Sequence, residues 1–367
     1  MRIGIDARFL THPQYGGFKS YTITALSALA ETDAENHYIV YTDRPAESSV
    51  RLPANFKMRP VQTKNGILRE QVSMPFAMKR DHLDLIHFPC NTAPLFSGTK
   101  MVVTIHDAIP LGKAHHPRNL KNRLLNSYWR MMLPKSARRA NLVITDSQYA
   151  RDDLCAKLDL NADKVRVIHL ALNPIFNSIM RCIPPAGMDV RTPFILAFAS
   201  PDGRKNHPAA IEAYHAADLG TSKPKLALVC SHPSVRSCLK SDDGIVPLGP
   251  VAVEELVWLY RNAQALIFPT LDEGFGLPPL EAMASGTPVV ASNAGSLPEI
   301  LGDCAVYANP MNVDGLAKGI QMVLQDGSLR DSLIRRGREH AARFSRERMG
   351  MELTAVYREA AGFGGLP

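Results

Sequence analysis

The sequence predicts an α/β protein built from two doubly wound, Rossmann-like domains. Three observations carry this expectation. Short apolar runs alternate with helix-period patterns along the whole chain, the βαβα order of a parallel sheet covered by helices on both faces. The alternation breaks once, near 173–193, where Pro174, the pair Pro184-Pro185 and Gly187 interrupt any regular element. At 367 residues the chain is long for one hydrophobic core and comfortable for two.

The elements follow in order. In the first half, strand-like runs of β-branched and aromatic residues stand at 2–6, 37–42, 84–88, 101–106, 142–146 and 165–169. Helical patterns fill the gaps near 18–31, 68–80, 118–139 and 147–158. The second half repeats the scheme, with strands at 194–199, 225–230, 245–248, 265–268, 288–291 and 305–307. Its helices lie near 206–217, 253–261, 278–285, 296–301, 312–325 and 328–343. The expected domains are 1–172 and 194–343, joined by a linker over 173–193. A last amphipathic stretch within 344–367 is expected to pack back across the domains. In such sheets ligands bind outside the C-terminal ends of the strands.

Composition excludes several classes. No apolar run reaches the roughly 18 residues of a membrane span. Asp6 interrupts the only early apolar run, so no signal peptide is expected and the reading is a cytoplasmic protein. The six cysteines are scattered without C-x-x-C, which suggests neither a zinc site nor a disulfide framework. Charge is uneven. Residues 1–172 carry 24 Lys and Arg against 15 Asp and Glu, while 173–367 carry 18 against 20. A basic first half points to an anionic partner. No helix-turn-helix, zinc-finger or RRM wording is present, so a phosphorylated lipid or membrane surface fits better than nucleic acid.

The most informative segment is 272–291. A strand-like run is followed by Glu273-Gly274-Phe275-Gly276-Leu277-Pro278-Pro279, and a short helix pattern then carries Glu281. Pro278 suits the first turn of a helix, where a missing N–H costs nothing. The glycines let backbone amides approach a ligand, and a helix N-terminus favours anions. Carboxylates beside an anion cradle suit a ligand with both hydroxyls and phosphates, such as a nucleotide sugar. Elsewhere, the strand at 101–106 ends in His106-Asp107, and Gly203-Arg204-Lys205-Asn206 follows the strand at 194–199. A lysine at a strand–helix turn is a natural phosphate partner. Gly16-Gly17 and Tyr21 lie between the first strand and first helix, and Leu248 closes another strand. The stretch 118–139 holds seven Lys or Arg and no acid, interleaved with apolar residues, and ends in Arg138-Arg139. It reads equally as a helix on an anionic membrane and as a helix packed on the core.

Glu273 and Glu281 stand in E-x7-E spacing, and the string EGFGLPPLEAMASGTPVVASNAGSLPEI resembles the signature of the retaining glycosyltransferases of family 4. These have the GT-B fold, two Rossmann-like domains facing across a cleft, and the chain looks similar to bacterial polysaccharide mannosyltransferases. The resemblance implies transfer of a hexose, first of all mannose from GDP-mannose, to a hydroxyl of a growing or lipid-linked glycan such as lipopolysaccharide O-antigen, with retention. It implies catalytic roles for His106, Lys205 and Glu273. Donor contacts would come from Gly17, Arg204, Lys205, Leu248, Glu273, Gly274, Phe275, Gly276, Leu277 and Glu281. Glu281 would take the ribose hydroxyls, and Glu273 the transferred sugar. Many members carry an arginine several residues before the lysine; Ser200 stands there instead, which leaves Arg204 as the substitute. Gly16, Tyr21, Arg138 and Arg139 would lie on the acceptor or membrane side, in a protein peripheral to the inner face of the membrane. No Asp-x-Asp occurs, so no metal and no other cofactor is expected. The alternatives are a nucleotide-sugar phosphorylase or epimerase of the same fold, and a non-catalytic nucleotide-sugar-binding protein. Oligomeric state is not readable.

Overall fold

A computed structural model describes the chain apart from residues 13–16, 45–49, 64, 109–119, 177, 179–181, 222, 231–243 and 364–367, and the side chains of 120–126. The chain divides into two compact units. The first is Met1–Ala171 with Ser345–Pro367, and the second is Leu172–Phe344.

Among its described residues the first unit has seven strands: β1 (Arg2–Asp6), β2 (His37–Thr42), β3 (Phe56–Pro60), β4 (Leu85–Phe88), β5 (Lys100–Thr104), β6 (Leu142–Thr145) and β7 (Val165–Val167). They lie in the order β3-β2-β1-β4-β5-β6-β7, and every pairing is parallel. Helices α1 (Gly17–Thr32), α2 (Gly66–Leu68), α3 (Met74–Arg80), α4 (Leu120–Arg139) and α5 (Gln148–Leu158) connect them. A π-helical turn, Arg69–Ser73, joins α2 to α3. Between the sheet and its helices lies a core that includes Met74, Met78, Phe88, Val103, Leu133 and Leu154.

Strand β3 was not expected from the sequence. Its residues, Phe-Lys-Met-Arg-Pro, lack an apolar run, because an edge strand buries little. Only Phe56 is buried, stacked on Tyr38 with ring centroids 4.4 Å apart. The expected strand at 101–106 also stops early, at Thr104, which leaves His106 in the following loop.

The C-terminal helix Arg346–Ala360 belongs to the first unit and packs on α1. Gly350 permits the contact, since a Cβ there would lie 2.6 Å from the Ala28 carbonyl oxygen. The Tyr357 hydroxyl meets His87 Nδ1 at 2.7 Å, and Arg346 pairs with Glu31 at 3.0 Å.

The second unit contains β8 (Phe194–Ala199), β9 (Lys225–Cys230), β10 (Ile245–Leu248), β11 (Leu266–Phe268), β12 (Val289–Ser292) and β13 (Val306–Ala308). Their order is β10-β9-β8-β11-β12-β13, again all parallel. Its helices are α6 (His207–Ala216), α7 (Val253–Asn262), α8 (Leu277–Ser285), α9 (Leu297–Leu301), α10 (Val313–Gln325) and α11 (Gly327–Ala341). The segment after Leu172 is not a free linker over its whole length. Phe176 is buried against Tyr260, and its carbonyl accepts from Ser285 Oγ at 3.1 Å.

Each sheet has one point where successive connections leave in opposite directions: between β1 and β4 in the first unit, and between β8 and β11 in the second. Such switch points open a crevice at the C-terminal strand ends.

Candidate functional site

In the second unit the switch point carries Lys205 and Glu273. Lys205 ends a short 3-10 turn after β8, and Glu273 lies in the loop after β11. Their side chains form an ion pair, and Lys205 Nζ also sits 5.4 Å from the centroid of the Phe268 ring. Lys205 is held from behind by Asn206. That residue adopts a left-handed conformation at φ 49° and ties Pro269 O (3.0 Å) to Pro310 O (2.9 Å) through its amide. Three strand-end loops are thereby joined by one side chain.

The Glu273–Gly276 loop is set by its neighbours. Ser296 donates from its amide to Glu273 O at 3.0 Å, and its buried hydroxyl lies 2.8 Å from Phe275 O. Gly295, at φ 61°, lets the two turns touch; a Cβ there would lie 2.6 Å from both the amide nitrogen and the carbonyl oxygen of Glu273. Gly276 takes φ 105° at the N-cap of α8, a conformation that favours glycine. The first intrahelical bond runs from Leu280 N to Gly276 O. Pro278 and Pro279 carry no N–H, so the amides offered at this helix end are those of Gly276 and Leu277. A positive helix end, two amides and a lysine form an anion cradle.

On α8, Glu281 accepts a hydrogen bond from Tyr260 Oη at 3.0 Å. Burial pushes its carboxyl up to about 7, against the opposing effect of that bond. Burial and the Glu281 charge push the Tyr260 phenol well above its ordinary range, so it remains a donor. Glu281 is therefore an acceptor short of partners, as a carboxylate that meets ligand hydroxyls should be.

The first unit carries His106 in the loop after β5, with its amide bonded to Asn91 Oδ1 at 3.1 Å. Its Nδ1 lies 2.7 Å from Asp146 Oδ2 and its Nε2 lies 3.1 Å from Pro89 O. A carbonyl only accepts, and so does an ionised carboxylate; both contacts are satisfied at once only when both ring nitrogens carry protons. Burial lowers the His106 pKa, but the charge and hydrogen bond of Asp146, the charge of Asp107 and the Pro89 carbonyl outweigh it and raise it. Tyr21 packs its ring edge-on to the imidazole at 4.6 Å between centroids, and Phe18 lies at 5.6 Å. A buried chain then runs from Tyr21 Oη to Thr104 Oγ1 (3.0 Å), His87 Nε2 (2.7 Å) and Tyr357 Oη on the C-terminal helix. Burial and the nearby His106 push His87 down to about 3, so this ring is neutral.

Two family models match the chain. Glycosyltransferase Family 4 covers residues 15–174, and Glycosyl transferases group 1 covers 237–340. The chain belongs to the glycosyltransferases. Curated relatives of this glycosyltransferase include the O-antigen chain mannosyltransferase B of Escherichia coli, 28% identical over 330 residues that cover 86% of this chain and 85% of that protein. Another is the O-antigen chain mannosyltransferase RfbU of Salmonella typhimurium, 28% identical over 60% of this chain and 59% of its own. Among solved structures, the sucrose-phosphate synthase of Thermosynechococcus elongatus aligns with a TM-score of 0.72 at 20% identity, covering 99% of this chain and all of its own. WaaG, a glycosyltransferase involved in lipopolysaccharide biosynthesis, aligns with 0.69 at 15% identity over 97% and 99% of the two chains. The two parallel-sheet domains are those of the GT-B fold.

Within the glycosyltransferase, the second unit brings Lys205, Glu273, Gly274, Phe275, Gly276, Leu277 and Glu281 to the segments that follow its central strands β8 and β11, with Leu248 at the C-terminal end of the edge strand β10. Arg204 is turned to Asp202, with Nη2–Oδ2 at 2.5 Å and Nε–Oδ1 at 3.1 Å. The guanidinium thus already has a carboxylate partner. In the first unit Gly17 opens α1 beside the switch point, Tyr21 touches His106, and Gly16 lies outside the described residues. Arg138 and Arg139 are exposed, each with one Nη2 on a carbonyl, Leu158 O at 3.3 Å and Ser97 O at 3.2 Å. Helix α4 packs on the core: Met132, Leu133 and Ala137 are fully buried, and Tyr128 Oη donates to buried Glu70 at 2.6 Å. The free amphipathic membrane helix, one of its two readings, is therefore not what the described part of α4 forms. Residues 118 and 119 lie outside the described residues.

Sequence reasoning missed Asp146, Asn91, Tyr260 and Ser296. Asp146 had a signal, since it directly follows β6 at the C-terminal strand ends where such sites lie. Tyr260, on a different helix from Glu281, had none.

Proposed function

We propose that the protein transfers a hexose, mannose first among the candidates, from a nucleoside-diphosphate sugar to a hydroxyl of a growing or lipid-linked glycan. Retention at the anomeric carbon and independence of metal belong to the same reading. The observation that carries it is the Lys205–Glu273 pair beside the Gly276 and Leu277 amides, with Glu281 on the helix that begins there. This set offers positive potential to a diphosphate and acceptors to ribose and sugar hydroxyls. The names of the relatives support mannose as the sugar and a lipopolysaccharide-type glycan as the acceptor.

In the reaction the C1–O bond to the diphosphate breaks, and the acceptor oxygen bonds to C1 from the same face. The acceptor proton passes to the departing diphosphate, so no protein general base is needed. Lys205 and the helix-end amides stabilise the charge that develops on the leaving group, where fixed donors act most strongly. Glu273 takes hydroxyls of the transferred sugar and Glu281 those of the ribose. His106, with both ring N–H groups already given to Asp146 and Pro89, acts through the positive charge of its ring. Lys205 supplies the cation that a divalent ion would otherwise provide. Among the described residues no helix is long and apolar enough to cross a membrane. A peripheral position at the inner face of the membrane, with the basic first domain towards anionic lipid, accords with a lipid-linked acceptor.

The test is transfer from GDP-mannose and other nucleotide sugars to a polyprenyl-linked acceptor, with and without EDTA, and with the product's anomeric configuration read by NMR. An α-linked product from an α-linked donor, formed equally in EDTA, is expected. An inverted product, or loss of turnover that Mg²⁺ restores, would overturn the mechanism. Release of free sugar phosphate would make the protein a phosphorylase, and tight nucleotide-sugar binding without turnover would make it a binding protein.

A further inference from the structure

The helical run over residues 66–80 has its polarity inverted in part. Arg69 and Glu70 are buried, while Leu68, Val72 and Phe76 are 55%, 45% and 72% exposed; Lys79 and Arg80 at its end are exposed as well. The inversion has a local cause. Arg69 reaches Asp6 at 2.7 Å and Asp43 at 2.6 Å, and Glu70 takes Arg8 (2.8 Å), Thr92 (2.6 Å) and Tyr128 (2.6 Å). These ion pairs fix the rotation of the run about its axis, since Arg69 and Glu70 are buried and would be left without partners in any other orientation. Its remaining inward positions, Met74, Ala77 and Met78, fill the core. Leu68, Val72 and Phe76, spaced by four, are left on the outer face.

Phe96 extends this face. It is 83% exposed and, with Phe76, Met78, Lys79 and Leu83, lines a hollow of about 630 Å³. Cations surround it. Lys79 lines the hollow, Arg139 bonds the carbonyl of Ser97 next to Phe96, and Lys135 lies exposed one turn before Arg139. Segments 66–80, 93–100 and 127–139 contain one carboxylate, Glu70, and it is buried; the exposed Asp84, beside Leu83, accepts from the Arg2 amide at 2.7 Å. Exposed aromatic and aliphatic side chains with more exposed cations than acids around them match one surface best, the interface of an anionic bilayer.

We propose that this face enters the interface of an anionic phospholipid bilayer, with Phe76 and Phe96 at the headgroup–acyl boundary and Lys79, Lys135 and Arg139 among the headgroup phosphates. The inference deepens the membrane-side reading above and rests on it. It assigns the apolar part of the contact to the 66–80 run and Phe96, because the described apolar side of α4 is spent on the core. Cations alone would give association that salt abolishes, whereas inserted rings persist at high salt.

The test uses the full chain, with vesicles of phosphatidylglycerol and phosphatidylethanolamine and vesicles of phosphatidylcholine alone. The wild type is expected to co-sediment with the anionic vesicles and to retain part of that binding in high salt. A Phe76→Ser, Phe96→Ser double variant is expected to partition on the order of a hundredfold more weakly, with nucleotide-induced thermal shifts unchanged. A Phe96→Trp variant is expected to gain, over the wild type, emission that anionic vesicles shift to the blue and acyl-brominated lipids quench. Equal partitioning of the double variant and the wild type, or added emission of the Phe96→Trp variant untouched by brominated lipid, would overturn the proposal. So would wild-type self-association that the double variant abolishes while neither binds vesicles, since the face would then join two copies of the chain. Failure of sugar transfer with vesicle insertion intact would count against the transferase mechanism and leave this surface standing.

Discussion

Asp146 Oδ2 lies 2.7 Å from His106 Nδ1, with a carbonyl on the far side of the ring. The pair decides the protonation state of His106, and with it the kind of work the histidine does. A ring held as imidazolium by these two contacts can stabilise negative charge through its own charge, but it cannot accept a proton.

Asp146→Asn should therefore change a pH profile more than a structure. The introduced amide oxygen can still accept from Nδ1–H, but it no longer favours the charged ring. The groups facing His106 are Asp146, Asp107, Tyr21 and, through Thr104, neutral His87. In the wild type the raised pKa keeps the ring charged to higher pH than an ordinary imidazole. The linked stability is fully present below the unfolded value of about 6.5 and is lost as pH rises through the folded value. Turnover in the variant should begin to fall at lower pH than in the wild type, since burial then lowers the ring's pKa without the Asp146 charge to oppose it. Its stability deficit, about 1.5–3 kcal/mol at pH 6, should shrink as pH rises through the folded value. Superimposable pH–rate profiles would show that Asp146 does not set the charge of His106.

Glu281 links donor binding to protons. Its folded pKa of about 7 lies above the ordinary carboxylate value, so its contribution to stability falls as pH rises from about 4.5 towards 7. Ligand hydroxyls that donate to it favour the charged form. Nucleotide affinity should rise with pH up to about 7, with a fraction of a proton released on binding near pH 6. Glu281→Gln should abolish the release, and Glu281→Ala should weaken binding by roughly tenfold or more. Calorimetry in buffers of different ionisation enthalpy reads both effects; unchanged affinity and proton release in Glu281→Ala would remove this residue from the site.

Lys205→Ala should discriminate among ligands. If the lysine meets the diphosphate, the nucleoside diphosphate should lose about 1.5–3 kcal/mol of binding while the bare nucleoside loses little. Equal losses for both would mean that Lys205 serves chiefly to position Glu273.

Gly295→Ala should disrupt the site from beneath. The new Cβ meets the Glu273 backbone at 2.6 Å in a left-handed conformation. A stability loss of about 1–3 kcal/mol is expected, with weakened donor binding. Gly98→Ala, where a Cβ has open space, serves as the neutral control. Equal melting temperatures for the two variants would refute this packing.

The alternation of strands and helices, the two sheets and the loop that carries Glu273 were all legible in the sequence. Local pattern suffices there. Strands buried on both faces are continuous apolar runs, and helix starts and turns announce themselves through proline and glycine. Edge strand β3 was not legible, because a strand that buries one residue leaves no pattern. Only the tertiary structure paired Asp146 with His106 across 40 positions, or Tyr260 with Glu281, since such partners share no local signal. The tertiary structure also reversed the surface. Sequence placed the membrane-facing candidates on α4 by charge. Folding buried the described apolar side of α4 and, by pairing Arg69 and Glu70 with opposite charges inside, turned Leu68, Val72 and Phe76 outward. A chain can spell which residues are apolar; which of them meet solvent is decided by the contacts that fix each helix's rotation.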